Sequence, residues 1–379
     1  VEQPVGLMLD KSGRGNHASQ ATAGNRPTLS ARVNLLTKTE QFDVSPWSRG
    51  SGTQILPNQT TDPNGNLTAY KFVENSTYAE KYILESLSLT PGTYKYSIYL
   101  KAAERSWAVL YLSTAAINAT YFNLTTGTIG TIGSGVTAEI TAKGNGWYQC
   151  SITITVPTTA TYYAVLDIAD NTPTWNYTGN GTSGIYIWGA DLRPTNIGNN
   201  LPAYQRVNTS TDYDTVGFPL YLKANGTSSA MGTNSIDFTS TANMTVVTGI
   251  RKLDSGLAFA ILFSFGSPNT AGGFYLSAPE NVGSTPYQRY SLYGKVSTLS
   301  GNMTTAQFAS PVSNIVTGKV NFSQNTTDGK YAIRVNGADQ AVTAISSDTG
   351  VGTFANLPIY LFSPFWFNGQ FYGAIICGA

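Results

Sequence analysis

Two strongly alternating segments, Trp147–Val156 and Ile185–Leu192, constrain the fold of this chain more than any other feature. In the first, Ile152 and Ile154 alternate with polar residues such as Thr153. A period of two sends successive side chains to opposite faces, which indicates a half-buried antiparallel strand. The second segment carries apolar residues on both faces, as an inner strand of a packed sandwich does. Similar patterns recur along all 379 residues, so we expect an all-β protein.

Composition excludes several classes of function. Charged residues make up 11% of the chain, against roughly 25% in an average globular domain, so the polar surface must come mainly from Thr, Ser, Asn, Gln and Gly. The 22 basic and 21 acidic residues give a net charge of +1. No long-range field would therefore attract nucleic acid or anionic lipid. The apolar run Leu257–Phe265 is much shorter than the roughly 20 residues that span a bilayer, so no membrane insertion is predicted.

The sequence carries little of the usual machinery of catalysis. The only histidine, His17, lies in a predicted polar turn, and no Gly-x-Ser-x-Gly motif is present. One histidine and two distant cysteines, Cys150 and Cys377, cannot supply a tetrahedral zinc site, and we expect both thiols to be free and buried. Glycoside hydrolysis needs two facing carboxylates. No segment of the sequence pairs carboxylates in such a pattern, so we predict that the chain is not an enzyme. Four glutamates stand isolated in the sequence and are interpreted as surface charges: Glu74, Glu80, Glu85 and Glu104.

Turn and linker patterns divide the chain into parts. Residues 1–33 are too few to bury a core of their own and need a partner sheet elsewhere. About nine strands are predicted over 34–200, and a polar connector over 194–215 follows them. The strand pattern restarts over 207–379, where Asn336-Gly337 predicts a hairpin turn.

Motifs at the two ends of the chain resemble one family. Gly6–Ala18, a strand followed by Asp-x-Ser-Gly-x-Gly-Asn-x-Ala, resembles the opening of the laminin-G-like (concanavalin-A-like) domains of bacteriophage virion proteins. The usual closing motif of such a sandwich, Phe-Asn-Gly-x-x-Tyr, is present at Phe367–Tyr372. The resemblance implies that residues 1–33 and 207–379 form one discontinuous laminin-G-like β-sandwich.

Motifs between these ends resemble a second module. Asn34-Leu35-Leu36, Gly144–Tyr148 and Gly184–Ala190 resemble a carbohydrate-binding-module jelly roll of phage tail proteins. The fold expected from both resemblances is all-β, with two antiparallel β-sandwiches of jelly-roll or concanavalin-like type and the first nested in the second. An inserted domain needs only that its own termini lie close together. Three consecutive domains, with residues 1–33 as a linker, remain the alternative.

Aromatic residues are the candidates for ligand contact. Sugars stack on aromatic faces while Asn, Gln, Asp and Arg side chains hold their hydroxyl groups. Trp147 and Trp188 lie within strand patterns and are predicted to be core residues. The candidates lie in predicted loops or at strand ends, where packing under a loop is the alternative to ligand contact: Trp47, Trp107, Trp175, Tyr177 and Trp366.

A structural calcium ion is the one cofactor that the resemblance suggests. Jelly-roll modules of this kind often hold such an ion between their first and last strands with carboxylates and backbone oxygens. Asp43 and Asp191 are the matching positions, and turn capping is their alternative role. In the outer sandwich the carboxylates of the family's Phe-Asp-Gly-x-Asp-Asp motif are missing, because residues 224–229 read Ala-Asn-Gly-Thr-Ser-Ser. The sequence therefore does not predict a calcium-dependent ligand site there.

The resemblance implies a component of the exterior of a phage virion, in contact with other virion proteins and homo-oligomeric, with a trimer favoured. The leading hypothesis is a tail or head fibre, or spike, whose sandwiches bind host-surface glycans. One alternative is a purely structural decoration or connector protein that binds no sugar. The other is a polysaccharide depolymerase, which would need two carboxylates about 5–10 Å apart in a cleft.

Overall fold

The structure, a computed structural model, describes residues 3–114, 118–196, 201–208, 217–253, 260–282 and 285–378. The chain divides into two compact units. Arg32–Phe218 forms one of them, called here the inserted unit. Glu2–Ala31 and Pro219–Ala379 together form the other, called here the split unit. No helix in the described ranges has the length and apolar character needed to cross a membrane.

The predicted connector is in part a component of the inserted unit. Of residues 194–215, those at 197–200 and 209–215 lie outside the described residues. Gln205 is buried, and its Oε1 accepts hydrogen bonds from the backbone N–H groups of Val33 and Asn34 at 2.6 and 2.9 Å. Side-chain bonds to backbone groups of this kind tie residues 201–208 to the start of the inserted unit.

The inserted unit contains two six-stranded sheets in which neighbouring strands are antiparallel. With strands numbered along the whole chain, the first sheet has the order β14-β15-β10-β18-β7-β6 and the second the order β13-β12-β11-β16-β9-β5. A short ribbon pairs β17 with β8. The strands are β5 (Ser48–Arg49), β6 (Gln54–Thr60), β7 (Ala69–Val73), β8 (Tyr78–Glu80), β9 (Tyr82–Leu89), β10 (Gly92–Ala102), β11 (Trp107–Ser113), β12 (Thr120–Asn123), β13 (Thr128–Ile129), β14 (Val136–Gly144), β15 (Trp147–Val156), β16 (Ala160–Ala169), β17 (Asn176–Thr178) and β18 (Gly184–Pro194).

The split unit contains an eight-stranded sheet, β1-β4-β19-β33-β21-β28-β29-β30, and a nine-stranded sheet, β2-β3-β20-β32-β22-β23-β26-β27-β31. A two-stranded ribbon pairs β24 with β25. The strands are β1 (Gln3–Pro4), β2 (Leu7–Met8), β3 (Ala18–Ser19), β4 (Thr28–Ser30), β19 (Tyr221–Asn225), β20 (Met231–Asp237), β21 (Asn243–Lys252), β22 (Ile261–Phe265), β23 (Phe274–Ser277), β24 (Glu280–Val282), β25 (Thr285–Arg289), β26 (Ser291–Lys295), β27 (Leu299–Thr304), β28 (Val312–Asn321), β29 (Tyr331–Val335), β30 (Ala338–Asp339), β31 (Val342–Ser346), β32 (Asn356–Leu361) and β33 (Asn368–Gly378). Helical structure in the described residues is limited to the α-helix α1 (Thr327–Lys330) and a 3₁₀ turn, Ala23–Asn25.

The period-two patterns of the sequence produce the layered cores, which confirms the all-β prediction. On β16, the side chains of Tyr162, Ala164, Leu166 and Ile168 all belong to the main core of the inserted unit. Val165 and Ala169 alternate with them and pack in a separate cluster on the other face of the sheet. Both faces of this strand therefore bury apolar side chains, so the second face must be covered by loops or by partly exposed aromatic rings.

A β-bulge in β18 explains why that strand reads as apolar on both faces. Ile187 and Ala190 both join the main core although three positions separate them. The pairing register with β10 shifts between these residues, and Gly189 has a φ of +57° that favours glycine. Trp188 falls on the opposite face, where it is 5% exposed and packs against Tyr99. Trp147 and Trp188 are thus buried, as predicted.

The Asp-x-Ser-Gly-x-Gly-Asn-x-Ala segment near the start of the chain is a hydrogen-bonded turn in the split unit. The Asp10 carboxylate accepts bonds from the Ser12 and Asn16 backbone N–H groups at 2.8 and 3.0 Å. His17 Nδ1 accepts a bond from the Asp10 backbone N–H at 3.0 Å, so the single histidine of the chain stabilises this turn. Gly13 and Gly15 have φ values of +81° and +75°, which favour glycine at these positions of the motif.

Three expectations from the sequence need correction. Cys150 is buried and free, but Cys377 is exposed near the end of β33, because that strand extends beyond the covered core. Glu74 and Glu85 are buried, at 0% and 4% exposure, and are not surface charges. Glu85 occupies a core-facing position of β9, where Thr37 donates to its carboxylate through both its backbone N–H and its hydroxyl.

Candidate functional site

A polar cavity of about 490 Å³ lies in the inserted unit, beside the edge strand β5. Its volume falls within the roughly 300–1,000 Å³ that is typical of small-molecule sites. The lining combines one tyrosine ring, one carboxylate, two amides, three aliphatic hydroxyl groups and small residues. The lining residues are Gly50, Ser51, Gly52, Asn75, Ser76, Thr77, Ala79, Glu80, Tyr82 and Asn176.

Backbone pairing assembles this pocket from distant parts of the chain. The Gly50 N–H donates to the Tyr82 carbonyl at 2.9 Å, and Asn176 stands opposite Glu80 across the β17–β8 ribbon. A Cβ at Gly50 would lie 3.3 Å from the Glu80 carbonyl and 3.5 Å from the Tyr82 ring, so glycine lets the ring lie close to the backbone. Gly52 has a φ of +76°, which only glycine adopts readily.

The amide of Asn75 holds two walls of the pocket together. Its Nδ2 donates to the Ser51 carbonyl at 2.8 Å, and its Oδ1 accepts from the Thr77 N–H at 3.3 Å. Asn176 differs, because its Oδ1 is buried and has no hydrogen-bond partner among the described residues. Burial of an acceptor without a hydrogen-bond partner costs free energy, because the acceptor gives up its bond to water. A ligand group that donates a hydrogen bond to this Oδ1 would therefore be favoured.

A buried ion pair lies behind the pocket. Arg105 donates two hydrogen bonds to the Glu74 carboxylate, both of 2.7 Å, through Nε and a terminal guanidinium nitrogen. The Tyr177 hydroxyl and the Asn180 N–H donate to the same carboxylate at 2.6 and 2.7 Å. Burial alone would raise the pKa of Glu74, but these bonds outweigh it and lower that pKa. The network fixes the segment that begins at Glu74 against the loop around Tyr177.

Lys81 is fully buried beside this network. Its Nζ donates to the backbone carbonyls of Thr77, Ala79 and Tyr177, the first at 3.2 Å and the second at 2.5 Å. The ammonium also lies 4.0 Å from the centre of the Tyr177 ring. Burial lowers the pKa of Lys81, while the charges of Glu74 and Asp167 favour its ionised form. Because Thr77 and Ala79 line the pocket, the Lys81 side chain holds the pocket wall in place from behind.

An aromatic surface adjoins the pocket on the outer face of the second sheet. Trp107, Tyr121 and Trp175 are partly exposed and pack with Tyr82 around a buried centre that includes Tyr111. The Trp175 ring centre lies 6.0 Å from that of Tyr111 in an edge-to-face arrangement. Tyr82 thus belongs both to this surface and to the pocket lining. The structure therefore brings Trp107 and Trp175, two of the predicted ligand-contact residues, to one surface.

A second carboxyl group, that of Asp167, lies beneath this surface. Asp167 is 0% exposed and stands opposite Tyr82 in the β16–β9 pair. Its Oδ2 accepts from the Tyr111 hydroxyl at 3.4 Å, while its Oδ1 has no hydrogen-bond partner within the described part of the chain. The pKa of Asp167 is raised well above its ordinary value. Burial is the largest cause, and the nearby charge of Glu80 is the second. Burial therefore opposes ionisation of Asp167, whereas Glu80 supplies the carboxylate of the pocket lining.

Trp47 and Tyr177 are corrected from ligand platforms to internal residues. Trp47 is 8% exposed, packs edge-to-face on Phe42 with ring centres 5.0 Å apart, and belongs to the main core. Its Nε1 donates to the Thr37 and Lys38 carbonyls, each at 3.1 Å. Tyr177 is 7% exposed, and its hydroxyl is bound to Glu74. Neither ring presents a free face on which a sugar could stack.

Trp366 belongs to the split unit, whereas Trp107 and Trp175 belong to the inserted unit. It is partly buried in the apolar segment Phe362–Phe367. The two ends of this segment are fully buried core residues whose rings stack with centres 5.8 Å apart. Phe365 is 45% exposed, so the solvent-facing part of the segment is much smaller than its sequence suggests.

The two candidate calcium ligands have different surroundings. Asp191 is 1% exposed and is ion-paired with Arg193, whose Nε donates to Oδ1 at 2.6 Å. Its Oδ2 accepts from the Gln205 N–H at 2.8 Å. Both carboxylate oxygens are therefore occupied, so Asp191 is corrected from a metal ligand to an ion-pair partner. Asp43 is exposed, and in the described ranges no cluster of three or more His, Cys, Asp or Glu side chains suits a metal ion.

Several residues of this site were missed by reasoning from the sequence. Tyr82 and Glu80 flank Lys81 in a segment that reads as an ordinary strand start, and Asn176 lies next to the predicted Trp175. Glu85 had a local signal, because it replaces an apolar residue in the period-two series of Ile83, Leu87 and Leu89. Glu74 and Lys81 had none, since their burial depends on partners distant in sequence.

Comparison with known proteins gives remote structural similarities, and two of them are to regions of laminin chains. Domains LG4-5 of the mouse laminin α1 chain match with 10% identity and a TM-score of 0.31, covering 89% of this chain and 90% of that one. The LG1-3 region of the laminin α2 chain matches with 9% identity and a TM-score of 0.29, covering 77% of this chain and 64% of that one. No protein-family model and no curated protein matches the sequence. At these scores, neither similarity bears on ligand or function.

Proposed function

We propose that this chain is a non-enzymatic adhesion protein and that its inserted unit binds glycans at the pocket lined by Tyr82, Glu80 and Asn176. The observation that carries the proposal is the continuity of this polar pocket with a partly exposed aromatic surface through the shared residue Tyr82. Aromatic rings that stack on sugar C–H groups, beside amide and carboxylate groups that bind hydroxyls, are the usual elements of a sugar site.

The position of the protein belongs to the same proposal. The resemblance of the end motifs to phage virion domains supports a place on the exterior of a phage particle, as part of a fibre, spike or capsid decoration. A homo-oligomer, with a trimer favoured, is the assembly we propose. In such an assembly a weak pocket would be repeated, and several simultaneous contacts raise avidity without any new contact within one pocket.

Binding without hydrolysis is favoured over a depolymerase by the placement of the carboxyl groups. Glu80 is the one carboxylate among the described residues that line the pocket. Asp167, whose charge couples to Glu80, is completely buried beneath the aromatic surface. Hydrolysis of a glycosidic bond requires two carboxyl groups that both reach the bond, about 5–10 Å apart.

The test is a binding screen of the full chain on a printed array of bacterial surface polysaccharides and their oligosaccharide fragments. We expect at least one glycan to bind, and Tyr82→Ala to weaken it about tenfold or more, because stacking contributes on the order of 1 kcal/mol beyond burial. Tyr163→Ala is the matched control, because Tyr163 is 38% exposed on the same sheet but does not line the pocket.

Three outcomes would contradict the proposal. Absence of binding to every glycan, with the chain shown to be folded by circular dichroism, would favour a purely structural role. Binding that survives Tyr82→Ala but is lost with Trp366→Ala would place the sugar site in the split unit. Release of new reducing ends from a bound polysaccharide would instead identify a depolymerase.

A further inference from the structure

The ligand-facing groups of the pocket differ in how much hydrogen-bonding capacity they have left. The Asn75 amide is used on both sides, by the Ser51 carbonyl and the Thr77 N–H. The Asn176 Oδ1 is buried and has no partner among the described residues. The Glu80 carboxylate makes no ion pair within the described part of the chain. The Glu80 carboxylate therefore remains available to a ligand, and the Asn176 Oδ1 is a buried acceptor still without a partner among the described residues.

Two cations near the pocket, Lys81 and Arg105, are engaged behind its wall, and the exposed Arg49, next to Gly50 in sequence, is not a lining residue. None of the ten lining residues is Lys, Arg or His. Lys81 directs its ammonium to three backbone carbonyls, and Arg105 directs its guanidinium to Glu74. Both side chains are held on the Tyr177 side of the wall, where their ring contacts are 4.0 and 5.3 Å. A negatively charged ligand in the pocket would meet the Glu80 carboxylate without a lining cation to compensate it.

From this arrangement we infer that the pocket selects glycans by charge: it accepts neutral and amine-bearing sugars and rejects carboxylate-bearing ones, with Glu80 and Asn176 as the specificity-determining residues. The inference rests on the proposed glycan-binding function and names its ligand class. An ammonium or hydroxyl donor would satisfy the free Asn176 Oδ1 and pair with Glu80, and hydrogen bonds to a charged group are stronger than neutral ones. A uronic acid would instead place two carboxylates together, which is unfavourable.

Three tetrasaccharides of equal length test this inference on the full chain. They are a β-1,4-linked glucosamine tetramer, the corresponding N-acetylglucosamine tetramer and a galacturonate tetramer, measured by calorimetry at about pH 6, where carboxylates are ionised. We expect the amine-bearing probe to bind about fivefold to twentyfold more tightly than the neutral one, which corresponds to one charge-assisted hydrogen bond. The galacturonate probe should bind at least about tenfold more weakly than the neutral one.

Charge variants connect the selectivity to named residues. Glu80→Gln keeps the shape of the side chain and removes its charge, so it should lower the amine-to-neutral affinity ratio to about one and raise galacturonate binding. Asn176→Asp adds a second carboxylate to the lining, so it should raise the amine-to-neutral affinity ratio above that of the wild type. Glu139→Gln is the matched control, because Glu139 is an exposed carboxylate on β14, paired with Lys95 and remote from the lining. It should leave all three affinities unchanged.

The outcomes separate this inference from the function on which it rests. If neither these probes nor any glycan of the array binds, the glycan-binding function itself is wrong. If glycans bind through Tyr82 but galacturonate binds as tightly as the neutral probe, the function stands and the charge selectivity is wrong. Affinity ratios that do not change with Glu80→Gln would also overturn the inference.

Discussion

The ammonium of Lys81 lies 4.0 Å from the centre of the Tyr177 ring and donates to the Tyr177 backbone carbonyl. One side chain therefore joins the ribbon strand β8, whose Ala79 carbonyl it also binds, to the strand β17 that pairs with it. The Lys81 ammonium is thus surrounded by backbone carbonyl oxygens and by the face of the Tyr177 ring, and both kinds of group attract a cation. This contact holds together the two strands that contribute Glu80 and Asn176 to the pocket.

Removal of the Lys81 charge should loosen this ribbon. Lys81→Met keeps most of the side-chain volume but leaves three carbonyls without their shared donor, so we expect a loss of at least about 2 kcal/mol in the free energy of unfolding of the inserted unit. Urea unfolding followed by tryptophan fluorescence measures this, because five of the six tryptophans lie in that unit. Lys81→Arg should not restore stability, since a planar guanidinium does not fit the same small space. Wild-type stability of Lys81→Met would contradict the role given to the ammonium.

Arg105→Ala should be one of the most destabilising substitutions in the inserted unit. It would leave the Glu74 carboxylate, which is 0% exposed, without its bidentate partner. Breaking a buried ion pair in this way costs about 3–5 kcal/mol. The exposed pair of Lys95 and Glu139 provides the comparison, and Lys95→Ala should cost less than about 1 kcal/mol in the same unfolding assay. Similar losses for the two variants would argue against a buried pair.

Glu85 should make the inserted unit more stable in mild acid than at neutral pH. Burial raises the pKa of Glu85 from 4.5 to about 7 in the folded state. The folded state therefore holds this proton more tightly, so the contribution is complete below about pH 4.5 and is lost as the pH rises through about 7. The loss is on the order of 3 kcal/mol. Unfolding free energies at pH 5 and pH 8 should differ less in Glu85→Gln than in the wild type, and an equal difference in both would refute the assignment.

Trp47 should matter for stability and not for ligand contact. Trp47→Ala removes a core ring and two hydrogen bonds to carbonyls, so we expect a loss of about 3–5 kcal/mol. Trp47→Phe retains the packing against Phe42 and should bind an array glycan with an affinity within about threefold of the wild type. A selective loss of binding in a stable Trp47→Phe protein would return Trp47 to the ligand site.

The two thiols should react at very different rates. Cys377 is exposed, whereas Cys150 is fully buried, and burial raises the pKa of its thiol. Ellman's reagent should therefore titrate one thiol in the native chain and a second one only after unfolding. Cys377→Ser should abolish the fast reaction. Two fast thiols in the native protein would show that the β14–β15–β10 region is open to solvent.

Reasoning from sequence located strands well because the signal for a strand is local. The bounds predicted for Trp147–Val156 coincide with β15, and the hairpin turn at Asn336-Gly337 joins β29 to β30 with φ values of +52° and +82°. Each of these features depends on residues within a few positions of one another. Trp147 and Trp188 were placed in the core for the same reason.

The ligand-contact residues were harder to predict, because the solvent exposure of a side chain depends on parts of the chain that are distant in sequence. Trp47 and Trp175 both lie in polar segments, yet Trp47 is covered by Phe42 and the main core, whereas Trp175 remains partly exposed. Glu74 and Glu80 are equally isolated in the sequence, but the first is neutralised by Arg105 and the second lines the pocket. Nothing within ten residues of either glutamate distinguishes these two outcomes.

The amino-acid pattern alone established that the chain is all-β, weakly charged and poor in catalytic groups, because alternation and composition are properties of short windows and of totals. Which aromatic rings stay accessible, which carboxylates are neutralised and where a cavity forms were decided by the tertiary structure. The pocket unites Gly50, Glu80 and Asn176, and only the pairing of β9 with β5 and of β17 with β8 brings them together. Such long-range pairing depends on the burial of whole sheets, which no single segment encodes.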